Sequence, residues 1–291
     1  MNPEFDSKLS ICPLCNSNHI SLFDYDFKGI EIYNCSECDS KFMNPPYSQT
    51  YLDALYDGYT NKSEIQDTDS LLQAANLQCH EFHFRKIEKY IAPGKALLFG
   101  CGNGSEIRTA ISRNWNVNGY DIDKSCIDDL KQKYNFVFYT GNFFELNLPS
   151  SEYDCIYLDQ VLEHLKNPQD YLNEFQRLLK PGGILFIASP NIKSFSSQFK
   201  IIFGKLGLKQ QRGKHYDTWH HMFYFNPTAL SKLLENKFGF ECQLKGNDVF
   251  VLPESSSLRK GFIRIMTILP IIWRSTFYLI ARKTKKFVKH R

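Results

Sequence analysis

The sequence predicts a doubly wound α/β domain with a mostly parallel sheet, preceded by a small four-cysteine ribbon and followed by a basic amphipathic helical tail. Three observations carry this. Two Cys-x-x-Cys pairs open the chain. Short apolar runs then alternate with helical segments, the order that builds a parallel sheet. Acidic residues stop at Glu254, and ten Lys or Arg follow over residues 255–291.

Composition sets the outer limits. With 291 residues, 43% hydrophobic and 23% charged, the chain is neither collagen-like nor largely disordered, and its length suits one or two domains. Residues 1–254 carry a net charge of −6 and residues 255–291 carry +10. A nucleic-acid partner needs Lys and Arg to neutralise phosphates, so the acidic body argues against one. The nine cysteines are odd in number and MNPEFDSKLS has no apolar leader. Both point to a reducing compartment and a cytoplasmic protein.

Cys12, Cys15, Cys35 and Cys38 form two knuckles nineteen residues apart. That spacing suits a four-thiolate zinc ribbon over residues 1–48, in which four sulfurs close the tetrahedron and leave Zn²⁺ a structural role. Residues 49–90 read as a helical connector, with Cys79, His80 and His83 taken as packing residues. Lys95 to Phe99 is the first strand of the main domain, assigned to 91–254. Gly100, Gly102 and Gly104 then make a loop before a helix from Ser105 to about Asn114. Glycines permit the tight turn, and a helix N-terminus favours an anionic group. Further strands are expected at Asn116–Tyr120, Phe136–Tyr139, Asp154–Leu158 and Ile184–Ala188. A helix at Pro168–Leu179 ends at Lys180-Pro181-Gly182-Gly183. Asp121 closes the second strand beside the glycine loop, where a carboxylate can accept both ribose hydroxyls of a nucleoside.

In this order, GCGNG, NGYDID, GNFFEL, YDCIYLDQVLEHL and RLLKPGGILFIASPN resemble class I S-adenosylmethionine-dependent methyltransferases. The branch most similar holds ubiquinone-biosynthesis O-methyltransferases and bacterial glycan methyltransferases. The resemblance covers about residues 10–245. It implies a Rossmann-like, mostly parallel seven-stranded sheet and S-adenosyl-L-methionine as cofactor. It also implies roles: Gly100, Cys101, Gly102 and Gly104 against the methionine part, and Asp121 on the ribose. Ile122, Asn142 and Phe143 would line the adenine, with Asp159 and Gln160 at the mouth. Leu98 departs from the pattern, since the family often has Asp or Glu there. The implied reaction is O-methylation of a glycan, lipid-linked or quinone-like acceptor, with His164, His220 and His221 as candidate proton acceptors. An rRNA base methyltransferase, a sugar C-methyltransferase and an inactive cofactor-binding module are the alternatives.

The tail, residues 255–291, completes the reading. At about 100° per helical residue, Lys260, Arg264, Arg274, Arg282, Lys285, Lys286 and Lys289 share one arc. Ile265, Leu269, Ile272, Trp273, Leu279 and Ile280 lie opposite. Such a helix suits the interface of an anionic membrane on its cytoplasmic face. Its apolar run is too short to span.

Overall fold

The computed structural model describes residues 2–59, 70–207, 213–247 and 275–284, with the side chains of 70–75 and 247 left aside. The N-terminal part is an antiparallel sheet. Strands β1 (Ile20–Tyr25), β2 (Glu31–Cys35) and β3 (Lys41–Met43) follow one another, and β9 (Phe223–Tyr224) joins the edge. Helices α1 (Gln49–Tyr56) and α2 (Ser70–Ile87) lead into the main domain.

There, β4 (Lys95–Phe99), α3 (Ser105–Ser112), β5 (Asn116–Tyr120), α4 (Lys124–Lys133) and β6 (Val137–Tyr139) run outward from the middle of a seven-stranded sheet. The chain then returns to the other side of β4 with β7 (Tyr153–Asp159), α5 (Pro168–Leu178) and β8 (Leu179–Pro190). Helices α6 (Phe195–Lys205) and α7 (Pro227–Phe238) precede β10 (Phe240–Asn247) and β11 (Thr276–Lys283). The sheet order is β10-β11-β8-β7-β4-β5-β6, parallel from β8 to β6.

The central strands are apolar on both faces because both faces are covered. Leu97 and Phe99 pack on one side with Ile156, Leu185, α5 and α7. Ala96 and Leu98 pack on the other with Phe84, Val117, Tyr157 and Phe186. The first of these cores runs without a break into the ribbon, through Cys12, Leu14, Ile32, Phe42 and Tyr224. Strand order reverses between β5 and β7, on either side of β4, so the carboxyl ends of β4 and β7 diverge into a crevice, the usual ligand position in open α/β sheets.

The tail requires a correction. Thr276–Lys283 is a strand, antiparallel to both β8 and β10. Phe277, Leu279 and Ala281 fill one core, and Tyr278 and Ile280 the other. A short apolar run buried on both faces has no strand periodicity, and its residues can equally be sorted onto a helical wheel. Arg282 and Lys283 do not form a solvated stripe. Arg282 Nη2 donates to the Tyr90 carbonyl at 2.7 Å, and Lys283 Nζ to that of Leu179 at 2.7 Å. The main domain therefore extends beyond 254. Lys260, Arg264, Ile265, Leu269, Ile272, Trp273, Arg274, Lys285, Lys286 and Lys289 lie outside the described residues. Among the described residues no helix is long and apolar enough to cross a membrane.

Candidate active site

The glycine loop leaves β4 with its backbone turned twice. Gly100 has φ 76°, and a Cβ there would stand 2.5 Å from Val161 Cγ2. Only glycine allows the loop to sit this close to the chain leaving β7. Gly102 has φ 43° and open space where its side chain would be. Its N–H donates to Asp121 Oδ2 at 2.8 Å, while Asp123 N–H donates to Asp121 Oδ1 at 2.9 Å. Asp121 thus ties the second strand to the loop. Burial holds its carboxyl above the usual range, and the two amides act against that. Cys101, within the loop, is buried.

The other predicted cofactor residues divide. Ile122, two residues past the end of β5, is 41% exposed. Asn142 accepts from Phe144 N–H at 3.2 Å and donates to Glu145 at 2.7 Å, capping a short 3-10 turn. Phe143 is not at the surface. It lies in the core among Phe99, Tyr120, Tyr171 and Phe175, and the open ring is Phe144. Gln160 has φ 55°, an uncommon conformation for a residue with a side chain, at the mouth beyond β7. Leu98 is wholly buried, and the carboxyls of Asp159 and Asp121 act through space on Glu106. Glu106, in the first turn of α3, is pushed up to about 8 by burial.

Residues that read as packing in the sequence form a second cluster. Helix α2 brings His80 and His83 onto the end of β7. Tyr157 Oη lies 2.7 Å from His83 Nδ1 and 3.1 Å from His80 Nδ1, and donates to Asp159 Oδ2 at 3.2 Å. His80 Nε2 meets Ser105 Oγ at 3.0 Å. The i, i+3 histidine spacing was the visible signal, but nothing in the sequence shows which strand end it meets.

His164, His220 and His221 converge from two turns. Ring centroids are 5.0 Å apart for His164–His220, 4.8 Å for His164–His221 and 4.3 Å for His220–His221. His164 Nδ1 lies 3.1 Å from the His220 carbonyl and 3.2 Å from Tyr56 Oη. A carbonyl can only accept, so Nδ1 carries the proton and Nε2 keeps its lone pair. Burial, reinforced by the neighbouring rings, pushes all three histidines down to about 3. One nitrogen from each lies within 4.8 Å of the others, a donor set able to hold a metal ion. Trp219 packs on His220 at 3.7 Å, and Tyr59 stands 6.2 Å from Trp219.

The ribbon fixes this histidine turn. Tyr216 Oη donates to Asp24 at 2.9 Å, Thr218 Oγ1 to Asp26, and Tyr47 Oη to the Thr218 carbonyl at 2.8 Å. On the other side Met222 N–H donates to the Glu163 carbonyl at 2.9 Å. The four predicted ligand cysteines are gathered too. Cys12 and Cys38 sulfurs are 3.7 Å apart, Cys15 and Cys35 are 3.6 Å apart, and all four lie within 4.8 Å. A tetrahedron with Zn–S bonds of 2.3 Å has edges of about 3.8 Å, so the set fits that ion. A shared hydrogen bond pushes Cys12 up and Cys38 down to about 5.

Comparison with known proteins now decides the family. A methyltransferase-domain profile matches residues 72–245, more than half of the chain. This chain belongs to the class I S-adenosylmethionine-dependent methyltransferases. A probable S-adenosylmethionine-dependent methyltransferase of Mycolicibacterium smegmatis is 31% identical over 120 residues, 40% of this chain and 46% of that one. A ubiquinone biosynthesis O-methyltransferase of Coxiella burnetii is 30% identical over 117 residues, 38% of this chain and 50% of that one. This methyltransferase therefore spans about half the length of these relatives. Among solved structures, Burkholderia thailandensis 1,6-didemethyltoxoflavin-N1-methyltransferase shares the fold with a TM-score of 0.52 and 14% identity, over 84% of this chain and 96% of that one. A methyltransferase from Archaeoglobus fulgidus gives 0.50 and 19%, over 71% and 94%.

Proposed function

We propose that this methyltransferase moves a methyl group from S-adenosylmethionine to a hydroxyl of a small-molecule or glycan acceptor. The carrying observation is the placement of three unprotonated histidines, with Tyr56, Tyr59 and Trp219, at the end of the sheet that holds the glycine loop and Asp121. Asp121 offers its carboxylate to the ribose, the open space at Gly102 admits the methionine backbone, and Ile122 faces the adenine. When bound, the cofactor supplies a methyl group on a sulfonium, and its carbon–sulfur bond breaks as the acceptor oxygen attacks.

The hydroxyl becomes strongly acidic as its oxygen gains the methyl group. Histidines titrating near 3 are unprotonated at neutral pH and can still take that proton late in the step. The aromatic rings around them suit a flat ring or the apolar face of a sugar. In this reading Cys12, Cys15, Cys35 and Cys38 hold one structural Zn²⁺.

Two results test the reading. Asp121→Ala removes hydrogen bonds to a charged acceptor, which costs about 1.5–3 kcal/mol. S-adenosylmethionine binding is expected to weaken roughly 10- to 150-fold by calorimetry, and unchanged affinity would exclude Asp121 from the ribose site. His164→Ala and His221→Ala are expected to lower turnover about 10²- to 10⁴-fold at saturating cofactor. The assay is S-adenosylhomocysteine release over a panel of sugar and catechol acceptors. Full turnover in both variants would remove the histidines from the proton path.

A further inference from the structure

Helix α6 departs from the behaviour of a helix on a soluble enzyme. It starts at Ser194, whose hydroxyl accepts the Ser197 N–H at 3.1 Å, and it is seated by Ile201 and Gly204. Its outer face is apolar. Phe195 is 55% exposed, Phe199 49%, Ile202 53% and Leu206, just past its end, 65%. At 100° per residue these four fall within an arc of about 60°. Phe199 stacks on Phe203 at 4.1 Å, so the rings form a continuous ridge. Contiguous exposed apolar surface of this kind marks an interaction site.

Charge says what the site meets. Lys200 and Lys205 flank the ridge, one on each side. The helix itself, Phe195–Lys205, carries these two lysines and no Asp or Glu, within a body whose net charge is −6. A protein partner with an apolar groove would not need this segregation; a surface combining acyl chains with negative headgroups does. Lys205 also reaches the ribbon, with Nζ 4.3 Å over the Phe23 ring and donating to its carbonyl at 3.3 Å. Tyr25 and Phe27, next along that hairpin, are exposed as well.

We propose that α6 is a membrane-docking helix that lies in the interface of an anionic bilayer. Its ridge of Phe195, Phe199, Ile202 and Leu206 enters the acyl boundary, and Lys200 and Lys205 meet the headgroups. The helix follows β8 directly, and Ile192 N–H donates to the Phe225 carbonyl at 3.0 Å, a few residues from His220 and His221. Docking there presents the crevice mouth to the bilayer, so a lipid-linked acceptor reaches the histidines without leaving the membrane. Only this last consequence rests on the methyl-transfer reading; the docking does not.

The test is co-sedimentation of the full chain with vesicles of phosphatidylcholine, alone or mixed with phosphatidylglycerol. Wild type is expected in the pellet with the mixed vesicles and in the supernatant with phosphatidylcholine alone. The F199E/I202E variant, changed only at exposed positions, is expected to partition about tenfold less or lower. K200E/K205E should fall between the two. Calorimetry with S-adenosylmethionine checks that each variant is folded and judges the cofactor site separately. Wild type remaining in solution with mixed vesicles, or F199E/I202E pelleting like wild type, overturns the proposal. So does a wild-type dimer in light scattering that F199E breaks without any vesicle binding, because the ridge then serves a second copy of the chain.

Discussion

Ile280→Asp is expected to prevent folding of the main domain. Ile280 is wholly buried in β11, among Phe84, Tyr157 and Phe186. A carboxylate placed there meets no partner, and a buried unpaired charge costs several kcal/mol even after relaxation. That is a large share of the roughly 5–15 kcal/mol that holds a domain together. Leu279→Ala is the graded companion, with an expected loss of about 2–5 kcal/mol in urea unfolding. The pair distinguishes the two accounts of the C-terminal residues. In a peripheral helix both substitutions would leave the unfolding midpoint nearly unchanged, and that outcome would show that β11 is not part of the sheet.

Cys12→Ser is expected to empty the ribbon of zinc and to release the histidine turn with it. A structural zinc site and the fold around it form together, and such sites contribute about 10–16 kcal/mol in isolated zinc-finger peptides. Here the ribbon continues the core of the main domain, and its residues Asp24, Asp26 and Tyr47 hold Tyr216 and Thr218. The expected result is zinc content falling from one per chain to none. Hydrogen exchange over residues 213–224 should rise, while the glycine loop still binds S-adenosylmethionine. No zinc in the wild-type protein, with its four thiols freely reactive, would reject the site. Zinc loss with unchanged exchange would instead break the link between ribbon and histidines.

Much of this was legible because the local chemistry was strict. KALLF followed by three glycines admits few structures, and Lys95–Phe99 is strand β4. Paired Cys-x-x-Cys at ribbon spacing places four sulfurs together, as found. The histidines could be named from two separate segments, although their meeting depends on turns that Asp24 and Asp26 fix from far along the chain. What escaped the sequence was non-local. The pairing of β9 with the ribbon involves two residues, Phe223 and Tyr224, with no pattern of their own. Phe143 and Phe144 are alike in chemistry, and only the packing of α5 decides which is buried. The apolar run at 276–281 carried no strand period and fitted a helical wheel equally well, so its neighbours in the sheet could not be read.

The position of β11 also imposes a timetable. It lies between β8 and β10, yet both of those strands leave the ribosome before it does. Until β11 has emerged and paired, β8 exposes an unpaired apolar edge and β10 lacks its neighbour in the sheet. A nascent chain at this stage carries the kind of open strand edge that invites pairing with another chain. For this methyltransferase the interval between the emergence of β8 and the pairing of β11 is therefore a period of risk, during which a chaperone that shields strand edges would raise the yield of folded enzyme.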